Sequence, residues 1–389
     1  MQQRRRWMGV GRSAERDSYA AALAAARTAL IGPAPKLLLV FAAMDHDPAL
    51  LVKALHDVAP GTPVVGCTTH GEIGPGGPTD GTVTVAAIGG EGLSVRKRTA
   101  QDVTGRQRDA GAEVAETAAE LADYPHRVLV LLTDGRTRDQ ESILRGAYNV
   151  LGASVPLFGG ASADGWRMTG GYLFDDDGVF TDAVIGVTIG SEAPLSVAVR
   201  HGWDKVGEPM IVTGAGNGRV YTLDDRPALD VYLDRLGAPA AAYTDEAAFQ
   251  EFALARPLGV KRRSGVEARN LSTEVDMAGR SIGGGSAIDH GGLTWAMTGD
   301  EDSILAATDQ ACQAAIDGLT GETPVGLLTF SCAALRAVLG ADGIQREGAR
   351  IEERAGGVPF AGFYTYGEIA RTHGIDGFHN QTLAVLAIG

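Results

Sequence analysis

Two stretches at opposite ends of the chain carry the residue types most able to hold a small polar ligand: "PVVGCTTHGEIGPGG" (Pro63 to Gly77) and "PFAGFYTYGEIARTHG" (Pro359 to Gly374). Both run from a proline through two apolar residues and a glycine to Gly-Glu-Ile. Glu72 and Glu368 are acceptors suited to an ammonium group. Thr68, Thr69, His70, Thr365, Tyr364 and Tyr366 add neutral donors and acceptors. Gly66, Gly71, Gly362 and Gly367 let backbone or ligand come close. A scaffold reading stands beside the ligand reading: a glutamate repeated in a turn can bond neighbouring backbone amides and fix the turn itself. In "FSCAALR", Cys332 closes a predicted strand and Arg336 follows one helical turn later, at the strand end where α/β sheets present ligand contacts. A guanidinium suits a carboxylate held bidentately, and Arg269 is a second cation in the same half. A ligand bearing both ammonium and carboxylate fits between a glutamate and an arginine; the competing reading pairs Arg336 with Glu352 or Glu353.

Other chemistries find less support. Cys332 and Cys67 lack a local base and oxyanion hole, so each reads as a small buried side chain, although His70 lies three residues from Cys67. CxxC, CxxCH and HExxH are all absent. His70, His201, His290, His373 and His379 fall in predicted loops, and spacing alone does not assign an axial heme ligand among them. "GAGNG" and "SIGGGSA" lack the strand-GxGxxG-helix context and read as turns. "DHDP", "DDD" and "GDED" have no EF-hand spacing and read as solvated loops.

The elements that must position these residues repeat. Leu37 to Met44, Val128 to Thr133 and Gly326 to Cys332 are apolar runs of strand length. After each comes a helical or irregular stretch, then Pro-x-x-Gly at Pro63, Pro156 and Pro359, then a second β-like run at Thr82, Ala183 and Thr382. One strand, helix, strand, turn, strand unit is used three times. Helical stripes fall at Tyr19, Leu23, Ala26 and Leu30; at Leu51, Ala54, Leu55 and Val58; and at Ile143, Ala147, Val150 and Leu151. In "DDRPALDVYLDRLG", Asp225 suits the N-cap, Pro227 the first turn and Gly237 the C-cap. The expected fold is α/β, with mixed sheets, flanking helices and repeated units in two closely packed halves, 1–220 and 221–389.

Of 389 residues, 44% are hydrophobic and 21% charged, as in an ordinary globular protein. The net charge of -14 argues against nucleic acid or an anionic membrane as partner. The basic runs Arg4 to Arg6 and Lys261 to Arg263 are short surface stretches. Three cysteines and an N-terminus without an apolar h-region point to the cytoplasm.

Taken in order, "LLLVFAA", "GCTTHGEI", "PLFGGASADG", "RPALDVYLDRLG", "RPLGV", "MTGDEDSIL", "FSCAALR", "GFYTYGEI" and "FHNQTL" resemble the FIST family (F-box and intracellular signal transduction), with its N-terminal and C-terminal domains in tandem from about Gly9 to Gly389. Where the family's first motif carries a small residue before Gly-Glu-Ile, this chain has His70; His379 is typical of the family. The resemblance implies a non-catalytic sensory protein that takes a small ligand, an amino acid or its relative, between its halves. No cofactor is required by the residues, but some relatives are hemoproteins that sense nitric oxide, so the resemblance leaves heme open. It also implies a separate output protein, such as a histidine kinase. An enzyme built on Cys332 or Cys67 is the remaining alternative.

Overall fold

The computed structural model describes residues 6–167, 169–216, 218–262, 265–271, 274–283, 288–372 and 377–389. Arg4, Arg5, Arg263, His373 and parts of both glycine-rich stretches lie outside them.

Each predicted repeat becomes the same object. Strand Pro35–Ala42 lies parallel to Val64–Thr68 and antiparallel to Val83–Gly90. His126–Thr133 does the same with Leu157–Ala161 and Val184–Ser191, and Gly326–Cys332 with Phe360–Thr365 and Leu383–Ile388. An antiparallel edge strand begins each unit: Arg6–Ser13, Leu93–Ala100 and Leu195–Arg200.

Between the units, strands are exchanged in a ring. Glu72–Ile73 of the first repeat pairs with Phe360–Thr365 of the third; Leu173–Asp175 of the second pairs with Val64–Thr68 of the first; Glu368–Arg371 of the third pairs with Leu157–Ala161 of the second. No repeat completes its own sheet, which gives the molecule a pseudo-threefold axis. The equivalent glycines Gly66, Gly159 and Gly362 sit at these crossings, where a Cβ would strike the carbonyl of Val40, Leu131 or Thr329 on the neighbouring strand.

The apolar runs explain the layering. Strands buried on both faces read as continuous hydrophobic stretches. Their inner faces form one central core whose axis is filled by Phe41, Phe158, Phe330 and Phe363, with ring centroids 4.5–5.4 Å apart. Each outer face carries a helix pair: Ser18–Ala29 with Pro48–Val58, Gln107–Ala115 with Gln140–Leu151, and Glu301–Asp317 with Ala333–Ala355. On the first helix the row Ala21, Ala22, Ala25, Ala26 and Ala29 is buried, while Tyr19 and Leu23 of the expected stripe pack at its flank. Small side chains allow a closer approach to the sheet. In the second repeat Leu144 joins the buried stripe and Val150 is exposed.

The third repeat is interrupted. Between its edge strand and Glu301–Asp317 stands an inserted mixed α/β unit, from Asp204 to Thr298, with its own core around Leu229, Tyr232, Phe249 and Leu258. Residue 220 falls inside one of its strands, Arg219–Leu223. Its first helix is Ala228–Arg235 with Pro227 at the N-cap. Asp225, expected there, lies instead with Asp224 in a left-handed hairpin turn. "DDD" also departs from a solvated loop. Lys97 Nζ lies 3.0, 3.3 and 2.9 Å from Asp175, Asp176 and Asp177, and the Asp175 side chain is fully buried.

Candidate functional site

The strand exchange brings the three turns together at the C-terminal ends of the parallel strands. The His70 amide donates to the Tyr364 carbonyl (3.0 Å), and the Tyr364 amide to the Gly71 carbonyl (2.9 Å). Thr68 Oγ1 donates to the Ala163 carbonyl and accepts from the Tyr172 amide, at 2.8 and 2.9 Å. Thr365 Oγ1 donates to the Ala161 carbonyl at 2.7 Å. Each repeat is thereby stitched to its neighbour.

On this ring of turns stand three aromatic side chains, one from each repeat. The His70 ring lies 4.9 Å edge-on from Trp166 and 6.4 Å from Tyr366, with Trp166 and Tyr366 5.6 Å apart. Tyr366 Oη donates to Asp164 Oδ1 (2.5 Å) and accepts from the Trp166 amide (2.9 Å). That clamp holds Trp166, a residue 44% exposed, at φ +65°, a conformation that a bulky residue adopts only when its surroundings impose it. His70 Nδ1 is buried and has no hydrogen-bond partner. Burial, then the nearby Arg336 cation, lowers the His70 pKa to about 4, so the imidazole is neutral at pH 7.

Arg336 bridges repeats. It donates to the His70 carbonyl (2.6 Å) and to Asp80 Oδ2 (2.7 Å) and lies over the Tyr364 ring. Asp80 therefore takes the place expected for Glu352 or Glu353. Gly71, at φ +111°, must be glycine here, because a Cβ would occupy the Arg336 guanidinium position. Tyr364 itself is buried and donates to Glu347 at 2.7 Å.

The two repeated glutamates lie beneath this face, fully buried. Glu72 Oε2 accepts from the Thr82 amide and hydroxyl at 3.1 and 2.5 Å, and Oε1 accepts from Thr69. Glu368 Oε2 accepts from the same groups of Thr382, at 3.1 and 2.9 Å. Each ties its hairpin to the next strand, and both carboxyls are buried. Register identifies the second repeat's counterpart. Glu72, Leu173 and Glu368 lie opposite Phe363, Cys67 and Gly160, each one residue beyond an equivalent glycine. Leu173 faces Phe180 as Glu368 faces His379, and Ala183 stands where the others have Thr82 and Thr382. A Glu-Thr pair in the first and third repeats is a Leu-Ala pair in the second. Burial raises the Glu72 pKa to about 7 and raises those of Glu368 and Glu347 in the same direction.

Cys332 lies against Glu368, and burial pushes its thiol and that of Cys67 well up; Cys312 is pushed up to about 12. Little nucleophilic thiolate is available at neutral pH. Arg269 and His379 form a separate buried group, away from the three aromatics. Arg269 Nη2 lies 2.8 Å from Glu267 and 3.6 Å from Glu141, and His379 Nε2 is 2.9 Å from the Ala370 carbonyl. Burial lowers the His379 pKa against the opposing, raising effect of the Glu267 charge. Among the described residues no cluster of three His, Cys, Asp or Glu side chains could hold a metal, and no helix is long and apolar enough to cross a membrane.

Of the expected site residues, Thr68, Thr69, His70, Arg336, Tyr364 and Tyr366 converge at the ring; Glu72, Glu368 and Cys332 lie below it; Arg269 and His379 stand apart. Trp166, Asp164 and Asp80 were not foreseen. Trp166 lies a few residues beyond the second Pro-x-x-Gly, so the third copy of the turn was the signal that pointed to it.

The fold and this site define an α/β protein built from three interlocked repeats. The FIST N domain model matches residues 36–226 and the FIST C domain model residues 228–371. The chain belongs to the FIST family, whose domains are associated with signal transduction and small-ligand sensing. It is 26% identical over 391 residues to Uncharacterized protein Rv0628c of Mycobacterium tuberculosis, covering 97% of this chain and 98% of the relative. It is 24% identical over 396 residues to Uncharacterized protein Mb0898c of Mycobacterium bovis, covering 97% of each.

Proposed function

We propose that the protein is a non-catalytic sensor whose small ligand binds on the ring of turns, between the N-terminal repeats that supply His70 and Trp166 and the C-terminal repeat that supplies Arg336 and Tyr366. The observation that carries this reading is the convergence of one aromatic side chain from each repeat around a buried, unpaired His70 Nδ1. A neutral imidazole nitrogen cut off from water is costly to leave unpaired, and a ligand that moves the Trp166 ring gains that bond. Asp80 and Arg336 are close enough to influence the charge of His70. They put both signs at the rim, which favours a zwitterionic metabolite such as an amino acid. Because the site is assembled from all three repeats, occupancy is felt across both halves. The signal then passes in the cytoplasm to a separate output protein, such as a histidine kinase.

The test is a thermal-shift screen of amino acids and related metabolites. A true ligand at a hundredfold excess over its dissociation constant stabilises the fold by about 2.7 kcal/mol. His70→Ala and Trp166→Ala should abolish that gain while leaving a folded protein. A broad screen without stabilisation, or a ligand indifferent to both substitutions, would sink the reading.

The same free nitrogen favours heme as a second reading. His201 has both ring nitrogens engaged, with the Val266 carbonyl and the Trp203 amide, and His379 Nε2 faces the Ala370 carbonyl. Neutral His70 is the better axial ligand, with heme supplying the diatomic-gas chemistry. A stoichiometric Soret band after hemin addition, lost in His70→Ala, supports it; an unchanged protein spectrum removes it.

A further inference from the structure

We propose a second binding site, for a small monocarboxylate with an apolar body, in the cleft where the inserted unit meets the third repeat. The cleft has a volume of about 420 Å³ and shares no residue with the ring of turns. Its apolar floor comes from Trp203, Val266 and Met297, of which Trp203 and Met297 are almost fully buried.

The strand register explains why this cleft exists and why two cations face it. Lys205 lies opposite Met297, Lys261 opposite Val266, and Gly259 opposite Trp295. All six positions thus share one face of the inserted sheet, because residues paired across antiparallel strands project to the same side. Gly259 leaves the space that Met297 and Val266 fill, since a Cβ there would meet both side chains. The two lysines stand at the margin of this apolar floor.

His201 forms a fixed wall. Its Nδ1 accepts from the Trp203 amide at 3.2 Å, so the proton sits on Nε2, which donates to the Val266 carbonyl at 2.9 Å. Both ring nitrogens are engaged, and none is left for a ligand. The ring joins the third repeat to the inserted hairpin and sets the width of the cleft.

Charge then selects the ligand. Lys205 Nζ is held 4.4 Å from the centroid of the Trp295 ring. Among the described residues neither Lys205 nor Lys261 has a carboxylate partner, in a chain of net charge -14. With Asp204 also lining the cleft, the balance among the described lining residues is one positive charge. A single carboxylate neutralises it, and an aryl or branched-alkyl body covers Trp203, Val266 and Met297.

The test uses the full chain with phenylacetate and 3-methylbutanoate as probes and phenylacetamide as the uncharged control. Calorimetry and tryptophan emission are both suitable, because Trp203 lines the cleft and Trp295 holds the Lys205 ammonium. Each acid should saturate one site per chain, and the amide should bind at least tenfold more weakly. Lys205→Met and Lys261→Met should each weaken the acids by roughly tenfold, the loss of one charge-assisted contact. Both lysines are exposed, so these variants keep the fold, which circular dichroism checks. His70→Ala should bind the acids as the wild type does, which separates this site from the ring. The proposal is overturned if neither acid saturates by about 10 mM, the millimolar limit of weak specific binding. Equal binding of the amide, wild-type affinity in both lysine variants, or loss of binding in His70→Ala overturns it too.

Discussion

Replacing Glu72 by glutamine should flatten the pH dependence of stability by an amount readable from the structure. The carboxyl is fully buried, and burial raises its pKa from 4.5 to about 7 against the opposing effect of its bonds to Thr69 and Thr82. A carboxyl with a raised folded pKa contributes stability that is fully present below the unfolded value. That contribution fades between pH 4.5 and 7, as the unfolded chain ionises and the folded one does not, and is gone above pH 7. At 1.36 kcal/mol per unit the wild type loses about 3 kcal/mol over this window. Glutamine keeps the acceptor for Thr82 and can donate to Thr69 Oγ1, but it does not titrate. Urea unfolding midpoints of both proteins from pH 4.5 to 9 provide the assay. Glu368, Glu347 and the surface charges change stability over the same range and cancel in the difference between variant and wild type. The variant should gain about 3 kcal/mol on the wild type by pH 8. A difference that stays constant with pH, or one in which the wild type gains as pH rises, would refute the protonated buried carboxyl.

The Leu173 and Ala183 pair supplies a related prediction: Glu72→Leu alone should cost about 1–3 kcal/mol by leaving Thr82 unpaired, and adding Thr82→Ala should recover part of it in a double-mutant cycle. Lys97→Met should cost about 3–5 kcal/mol near neutral pH, because the buried Asp175 carboxylate loses its ammonium; an unchanged denaturation midpoint would count against that ion cluster. Gly362→Ala should destabilise by at least about 1–3 kcal/mol through the clash with the Thr329 carbonyl, measured by the same unfolding series. The His70 imidazole should remain neutral in NMR spectra down to about pH 5. Its depressed pKa favours the fold above about pH 6.5, an advantage lost as pH falls through about 4.

Much of the architecture was legible because local patterns carry it. A buried strand must be apolar on both faces, so Leu37 to Met44, Val128 to Thr133 and Gly326 to Cys332 announced themselves, and their threefold recurrence revealed the repeat. Pro-x-x-Gly marked the equivalent strands for the same reason, since Gly66, Gly159 and Gly362 are needed wherever two backbones nearly touch. Helix ends were less legible: Asp225 resembled an N-cap by type, but the hairpin at Asp224 and Asp225 places the first helical residue three positions later.

The site depended on contacts that no local pattern encodes. His70, Trp166 and Tyr366 are far apart along the chain, and only the cyclic exchange of strands stacks them. The partner of Arg336 is Asp80, 256 residues away, whereas sequence proximity favoured Glu352. Glu72 and Glu368 were recognisable as a repeated pair. Whether they faced a ligand or closed a hairpin turned on the position of Thr82 and Thr382, set by the return of the next strand. The sequence by itself determined the repeating unit, its apolar strands and its turns, because these arise from interactions within a few residues. The tertiary structure decided which carboxyl is buried, which lysine is left unpaired and which ring faces which, because burial and charge pairing belong to the assembled surfaces.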